Sequence, residues 1–197
     1  MKLLLTGGTG FFGRTILRKL SIDSFAGKLV PKVVVLSRYP QEFIANYPEF
    51  NHQSWLTFHQ GNILEPHGFP RVRGFTHILH AATESTNGPA LPPLRRYDEI
   101  VDGTRNILEY AVKNNIPRLL MTSSGGVYGP QPTDIESIPE SYLGSPNPLD
   151  PDSAYSLGKR SAEHLCSLFG KKYGVEFVVA RCFAFVGPDL PKDAHFA

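Results

Sequence analysis

Apolar and polar positions along this chain fall into short runs that alternate between two periods. Lys2 to Thr6 is an apolar run that ends in glycines and predicts a buried strand. Phe11 to Leu20 carries apolar residues at 12, 16, 17 and 20, one face of a helix. Lys32 to Ser37 is continuous and β-branched, the pattern of a parallel strand covered on both faces. Gln41 to Asn46 predicts a short helix ahead of Pro48, and Trp55 to His59 and Thr76 to Ala81 predict a third and a fourth strand. Tyr97, Ile100, Val101, Thr104, Ile107, Leu108, Ala111 and Val112 then recur at helical spacing until Pro117. Arg118 to Ser123 reads as a fifth strand. Asp152 to Tyr173 reads as a second long helix, capped by Asp152 or Ser153 and closed by Gly174, and Val175 to Arg181 as a sixth strand.

Strand alternating with helix implies βαβ units and a parallel sheet. The expected fold is therefore α/β, a doubly wound parallel (Rossmann) sheet in three layers, α/β/α, with strand order 3-2-1-4-5-6. Residues 1–197 make one domain, and 130–151, rich in Pro, Ser and acidic residues, form a lid loop after strand five. A chain of 197 residues that is 41% apolar can bury one sizeable core. Its net charge of +2 gives no field strong enough to hold nucleic acid. No apolar run reaches the roughly 18 residues of a membrane helix. Two cysteines make no disulfide framework, so the expected setting is reducing and cytoplasmic.

Gly7-Gly8-Thr9-Gly10-Phe11-Phe12-Gly13 follows the first strand and opens a helix. Glycine permits a left-handed turn and close backbone approach to a pyrophosphate, and the helix start supplies free N–H groups. The end of strand two reports on the adenine ribose. An acidic residue there would repel a 2′-phosphate, but this chain has Ser37-Arg38, and Arg38 can bind one. The expected cofactor is NADP, with NAD possible.

Tyr155-Ser156-Leu157-Gly158-Lys159 puts a phenol and an ammonium one helical turn apart. A cation beside a phenol favours its ionised form and moves the proton toward working pH. Thr122-Ser123-Ser124-Gly125-Gly126 brings hydroxyls to the carboxyl edge of the sheet, where a serine can hold a substrate oxygen. His77 and His80 point to opposite faces of a strand, so they do not share a metal, and none is expected.

Together these residues resemble the extended short-chain dehydrogenase/reductase family, in its NAD(P)-dependent nucleotide-sugar epimerase/dehydratase branch. The resemblance rests on Thr6 to Gly13, Gly61-Asn62-Ile63, His80-Ala81-Ala82, Val101-Asp102-Gly103-Thr104-Arg105-Asn106, Ser123 to Gly129, Tyr155 to Lys159 with Glu163, and Arg181 to Pro188. It implies that Gly7, Gly10 and Gly13 shape a pyrophosphate site, with the backbone of Phe11 and Phe12 near the phosphates. It implies that Asn62 and Ile63 flank adenine, and that Ala81 and Ala82 line the dinucleotide. Ser124, Tyr155 and Lys159 would be the catalytic group: Ser124 orients the substrate oxygen, Tyr155 is the acid/base, and Lys159 binds the nicotinamide ribose and tunes Tyr155. The substrate would be a small molecule, a nucleotide sugar. The family often pairs the helices at 97–112 and 157–169 in a homodimer, and an ordinary intrachain core face is equally compatible with their apolar faces; no nucleic-acid or membrane partner is expected.

Departures from the family pattern narrow the reading. Dehydratases carry an acidic pair after the catalytic hydroxyl residue, where this chain has Gly125 and Gly126, so dehydration is disfavoured. Ile100 and Ala184 stand where the family often has Asn. The sequence ends about ten residues after Gly187-Pro188, while the family continues into a further strand and a smaller substrate lobe. The expectation is the cofactor domain of a nucleotide-sugar epimerase or ketoreductase, with little or no turnover by these residues alone. The alternative is a non-catalytic, dinucleotide-binding redox-sensor module.

Overall fold

The computed structural model describes residues 1–83, 91–185, 187 and 190. Ten principal elements follow one another as β1 (Lys2–Thr6), α1 (Phe11–Phe25), β2 (Lys32–Ser37), α2 (Pro40–Asn46), β3 (Leu56–Gln60), β4 (His77–His80), α3 (Pro93–Lys113), β5 (Arg118–Ser124), α4 (Ala154–Tyr173) and β6 (Glu176–Cys182). The six strands form one sheet in the order β3-β2-β1-β4-β5-β6. Every neighbouring pair is parallel. The order reverses between β1 and β4, which opens a crevice at the carboxyl ends of those strands.

Alternation along the central strands builds the layers. Leu3, Leu5, Val33 and Val35 pack with Leu17 of α1 and Phe43 of α2 in one core. Leu4, Val34, Leu36 and Ile78 pack with Ile100, Ile107 and Leu108 of α3 and with Ala162 and Leu165 of α4 in the other. Side chains two apart share a face, so a continuous apolar strand feeds both cores.

Several boundaries differ from the sequence expectation for local reasons. α3 begins at Pro93, four residues before the periodic pattern, because proline at a helix start gives up only an N–H that has no intrahelical acceptor. The cap ahead of α4 is made neither by Asp152 nor by Ser153. The Asp150 side chain accepts from the Asp152 N–H and caps a single 3₁₀ turn, Pro151–Ser153, that leads into the helix. Gly174 ends α4 in the left-handed conformation, as the sequence predicts.

The segment 130–151 is tied down from both sides. Arg160 of α4 donates to Gly144 O at 2.5 Å and Val127 O at 2.8 Å. Arg181 of β6 donates to Glu140 O at 3.4 Å. Among the described residues no helix is long and apolar enough to cross a membrane.

Candidate active site

A cavity of about 410 Å³ opens at the carboxyl ends of β1, β2, β3 and β4. Gly7, Gly10, Ser37, Arg38, Asn62, Ile63, Ala81 and Ala82 line it, so most of the expected cofactor residues meet in one space. Phe11, Phe12, Gly13, Ser124, Tyr155 and Lys159 stand outside that lining.

The glycines have separate physical reasons. Gly7 has φ +71°, and a Cβ there would lie 2.4 Å from Ala81 O. A Cβ on Gly13 would lie 2.3 Å from Gly8 Cα, so α1 can approach the β1 turn only without one. Gly10 meets nothing closer than Gly7 O at 3.4 Å, and its bareness leaves open space at the helix start. The first intrahelical bond of α1 runs from Arg14 N–H to Gly10 O, so the N–H groups of Phe11, Phe12 and Gly13 have no intrahelical acceptor. A bare turn with Gly7 and Gly10 on the cavity wall, followed directly by donors without helical partners, fits a dinucleotide pyrophosphate. The Phe12 ring meets Phe185 edge-on at 5.0 Å, which joins α1 to the chain after β6.

Behind the cavity a buried hydrogen-bond chain holds the loop after β4. Thr104 Oγ1 donates to Ile100 O, so it accepts from His80 Nε2–H at 3.2 Å. His80 Nδ1 then accepts from Thr6 Oγ1 at 2.7 Å, and Thr6 Oγ1 accepts from Ala82 N–H at 3.3 Å. Burial holds the His80 ring neutral, its pKa lowered to about 3, with Lys159 adding to the effect. Two residues later Asn106 donates to Ile63 O at 2.9 Å, and the Ile63 side chain rests on the bare face of Gly103. The Gly103-Thr104-Asn106 stretch of α3 is therefore the strut for two cavity loops. Asn62 spends one lone pair of its amide oxygen on Leu64 N–H, at 3.1 Å, and keeps the other.

The sequence places His80 in the strand-four motif and passes over Thr83, yet Thr83 links the cavity to Lys159. Lys159, only 4% exposed, donates to Thr83 Oγ1 at 2.7 Å and to Thr122 O at 2.9 Å. An ammonium has three donors, so one stays available to a ligand. The signal for Thr83 was a hydroxyl directly after the strand-four motif.

The electrostatics of the ligand-free chain set the starting state of this pair. Tyr155 and Lys159 do share a face, with Nζ 5.8 Å from the ring centre. The phenol is nevertheless pushed up, chiefly by burial and further by Cys182; a hydrogen bond with Ser124 and the charge of Arg96 pull it back. Lys159 spends its bonds on Thr83 and Thr122, and burial lowers its own pKa to about 8. Glu163 accepts from Ser123 Oγ at 2.6 Å and pairs with Arg181 Nη2 at 2.7 Å, and Arg181 lies over the Tyr128 ring at 4.6 Å. Gly125 faces Phe183, whose ring would stand 2.6 Å from a Cβ there. His77 bonds its neighbour Thr76, apart from His80.

Residues 3–197 match the profile of the NAD dependent epimerase/dehydratase family. UDP-glucuronic acid decarboxylase 1 of Xenopus tropicalis is 33% identical over 198 residues, which is 96% of this chain and 42% of the relative. UDP-glucuronic acid decarboxylase 3 of Arabidopsis thaliana is 31% identical over 199 residues, 98% of this chain and 53% of the relative. A crystal structure of a dTDP-glucose 4,6-dehydratase from Streptomyces venezuelae, solved with NAD and TYD bound, aligns with a TM-score of 0.80 at 27% identity, over 96% of this chain and 57% of that one. The chain spans about half the length of the curated relatives it matches. With its strand order, its glycine turn and this match over nearly all its residues, the chain belongs to the NAD dependent epimerase/dehydratase family.

Proposed function

We propose that this chain is the dinucleotide-binding part of a nucleotide-sugar epimerase or ketoreductase. The observation that carries the reading is the cavity that begins at Gly7 and Gly10 and ends at Thr83, the partner of Lys159. Gly7, Gly10 and the α1 start would hold the pyrophosphate, Asn62 and Ile63 the adenine, and Ala81 and Ala82 the dinucleotide wall. A nicotinamide held there would supply the hydride acceptor and donor for the substrate carbon.

The chain's own residues would handle the substrate oxygen and its proton. Ser124 donates a hydrogen bond to that oxygen, and Tyr155 Oη exchanges the proton with it. Lys159 turns its third N–H to the nicotinamide ribose. Burial keeps the Tyr155 phenol protonated in the ligand-free protein, so ionisation requires added positive charge nearby. Gly125 and Gly126 carry no acid, and the Phe183 ring fills the space a side chain at 125 would need. That favours epimerisation or reduction over loss of water. The presence of both Tyr155 and Lys159 favours an enzyme over a non-catalytic sensor.

Arg38 lines the cavity beside Ser37, with its guanidinium 5.9 Å from the Tyr39 ring centre. We assign it to the 2′-phosphate of NADP. Calorimetry of the 197-residue chain with NAD and NADP tests both assignments. The expected result is binding of both, tighter for NADP by about tenfold, or about 1.4 kcal/mol, with the preference lost in Arg38→Ala. Binding of neither would refute the reading, and equal affinities would refute the role of Arg38. Because the chain spans half of its relatives, we expect it to bind dinucleotide with little or no turnover.

A further inference from the structure

Arg95 and Arg96 are neighbours in the first turn of α3, but their surroundings differ. Arg95 Nε pairs with Glu99 Oε1 at 3.0 Å, one turn along the helix. Arg96 Nε and Nη2 are buried, and neither has a hydrogen-bond partner among the described residues. These two nitrogens form one edge of the guanidinium. Their parallel N–H groups match the two oxygens of a carboxylate or a phosphate, and leaving them desolvated without an acceptor is unfavourable.

The position of Arg96 narrows the choice of acceptor. Its side chain lines the cavity with Ala82, Thr83 and Ile100. Its charge also acts on the Tyr155 phenol, which puts it at the reacting end. The cofactor phosphates belong at the other end, over Gly7 and Gly10. A second cation, Lys159, stands at the same end, and Glu163, whose carboxylate acts on it, is bound to Arg181. Glu99, the acid on the cavity wall nearest in sequence, is taken by Arg95. Among the described residues, the reacting end therefore holds cationic donors, and its carboxylates Glu99 and Glu163 are already paired with arginines.

We propose that Arg96 holds a carboxylate carried by the substrate sugar, so that the site selects a uronic-acid nucleotide over its neutral counterpart. This rests on the nucleotide-sugar reading above and names the substrate class within it. Nε and Nη2 bind the two carboxylate oxygens side by side and fix the ring against Tyr155.

The test uses the 197-residue chain saturated with NAD and titrated with UDP-glucuronic acid or UDP-glucose, which differ only in the group at C6. Saturation-transfer NMR or calorimetry reads the binding. The expected result is a preference for the acid of tenfold or more. Arg96→Gln removes that preference, Arg96→Lys keeps only part of it, and NAD affinity stays within about twofold in both. Equal binding of the two sugars, or no binding of either at millimolar concentration, overturns the proposal. Unchanged selectivity in Arg96→Gln also overturns it. A loss of NAD affinity in Arg96→Gln, with no selectivity in the unmodified chain, would assign Arg96 to the cofactor phosphates instead. Failure of the unmodified chain to bind NAD would refute the cofactor reading itself.

Discussion

Lys159 offers the sharpest test of the site's electrostatics. The residue is 4% exposed, and burial lowers its pKa from 10.5 to about 8. Above about 8 the folded protein releases this proton, while the unfolded chain keeps it until about 10.4. Unfolding then takes up a proton, so this group's contribution to stability rises with pH across that window and is level below it. The interval corresponds to about 3 kcal/mol. Lys159→Met removes the titration. It also leaves Thr83 Oγ1 and Thr122 O without their donor, at roughly 1–3 kcal/mol each, so the stability difference at a single pH is not diagnostic. The slope is. Urea unfolding followed by circular dichroism at several values from pH 7 to pH 10.5 should show the wild type gaining on Lys159→Met by up to about 3 kcal/mol above pH 8. Parallel profiles would show that the ammonium is not desolvated, and the argument would fail.

Three further outcomes follow from the same geometry. His80 stays neutral in the fold down to about pH 3 but ionises near 6.5 when unfolded, so stability falls as pH drops below 6.5. His80→Gln should flatten that acid slope in chemical denaturation, by several kcal/mol across the window. Gly13→Ala, which drives a Cβ to 2.3 Å from Gly8 Cα, should lower the melting temperature steeply. Gly10→Ala should shift it by only a few degrees while weakening NAD binding about tenfold in calorimetry, because the space it fills is the ligand's. Arg181→Met leaves Glu163 with only the Ser123 hydroxyl and should cost about 3 kcal/mol in urea unfolding, whereas removing both charges with Glu163→Gln as well should recover part of it.

The sheet was legible because its strands are continuous apolar runs, and only buried parallel strands read that way. Lys32–Ser37 was recognised to the residue. Helix starts were harder. Pro93 to Arg96 have no apolar period, so the first turn of α3 was invisible, and with it Arg96. The glycine turn was readable because its spacing falls between a strand and a helix, and Gly13 is demanded by the nearby backbone of Gly8; the reason for Gly7, the approach of Ala81 O, lies on another strand's end. The His80–Thr6–Thr104 chain was not, since its members come from three elements and no spacing links them. Tyr155 and Lys159 were found by their spacing, but their burial and the bonds of Lys159 were not. Sequence gives proximity along a helix, whereas burial and the competing partners Thr83 and Thr122 decide where the proton sits.

Two supports of the crevice differ in how they answer acidity. Behind Ala82 the His80 ring stays uncharged well below neutrality, so the hydrogen bonds that hold this loop are the same in mildly acidic and mildly alkaline solution. One residue along, the amine bonded to Thr83 sits within reach of losing its proton in ordinary alkaline buffers. The imidazole and the amine therefore respond to different stretches of the pH scale, although one threonine separates them.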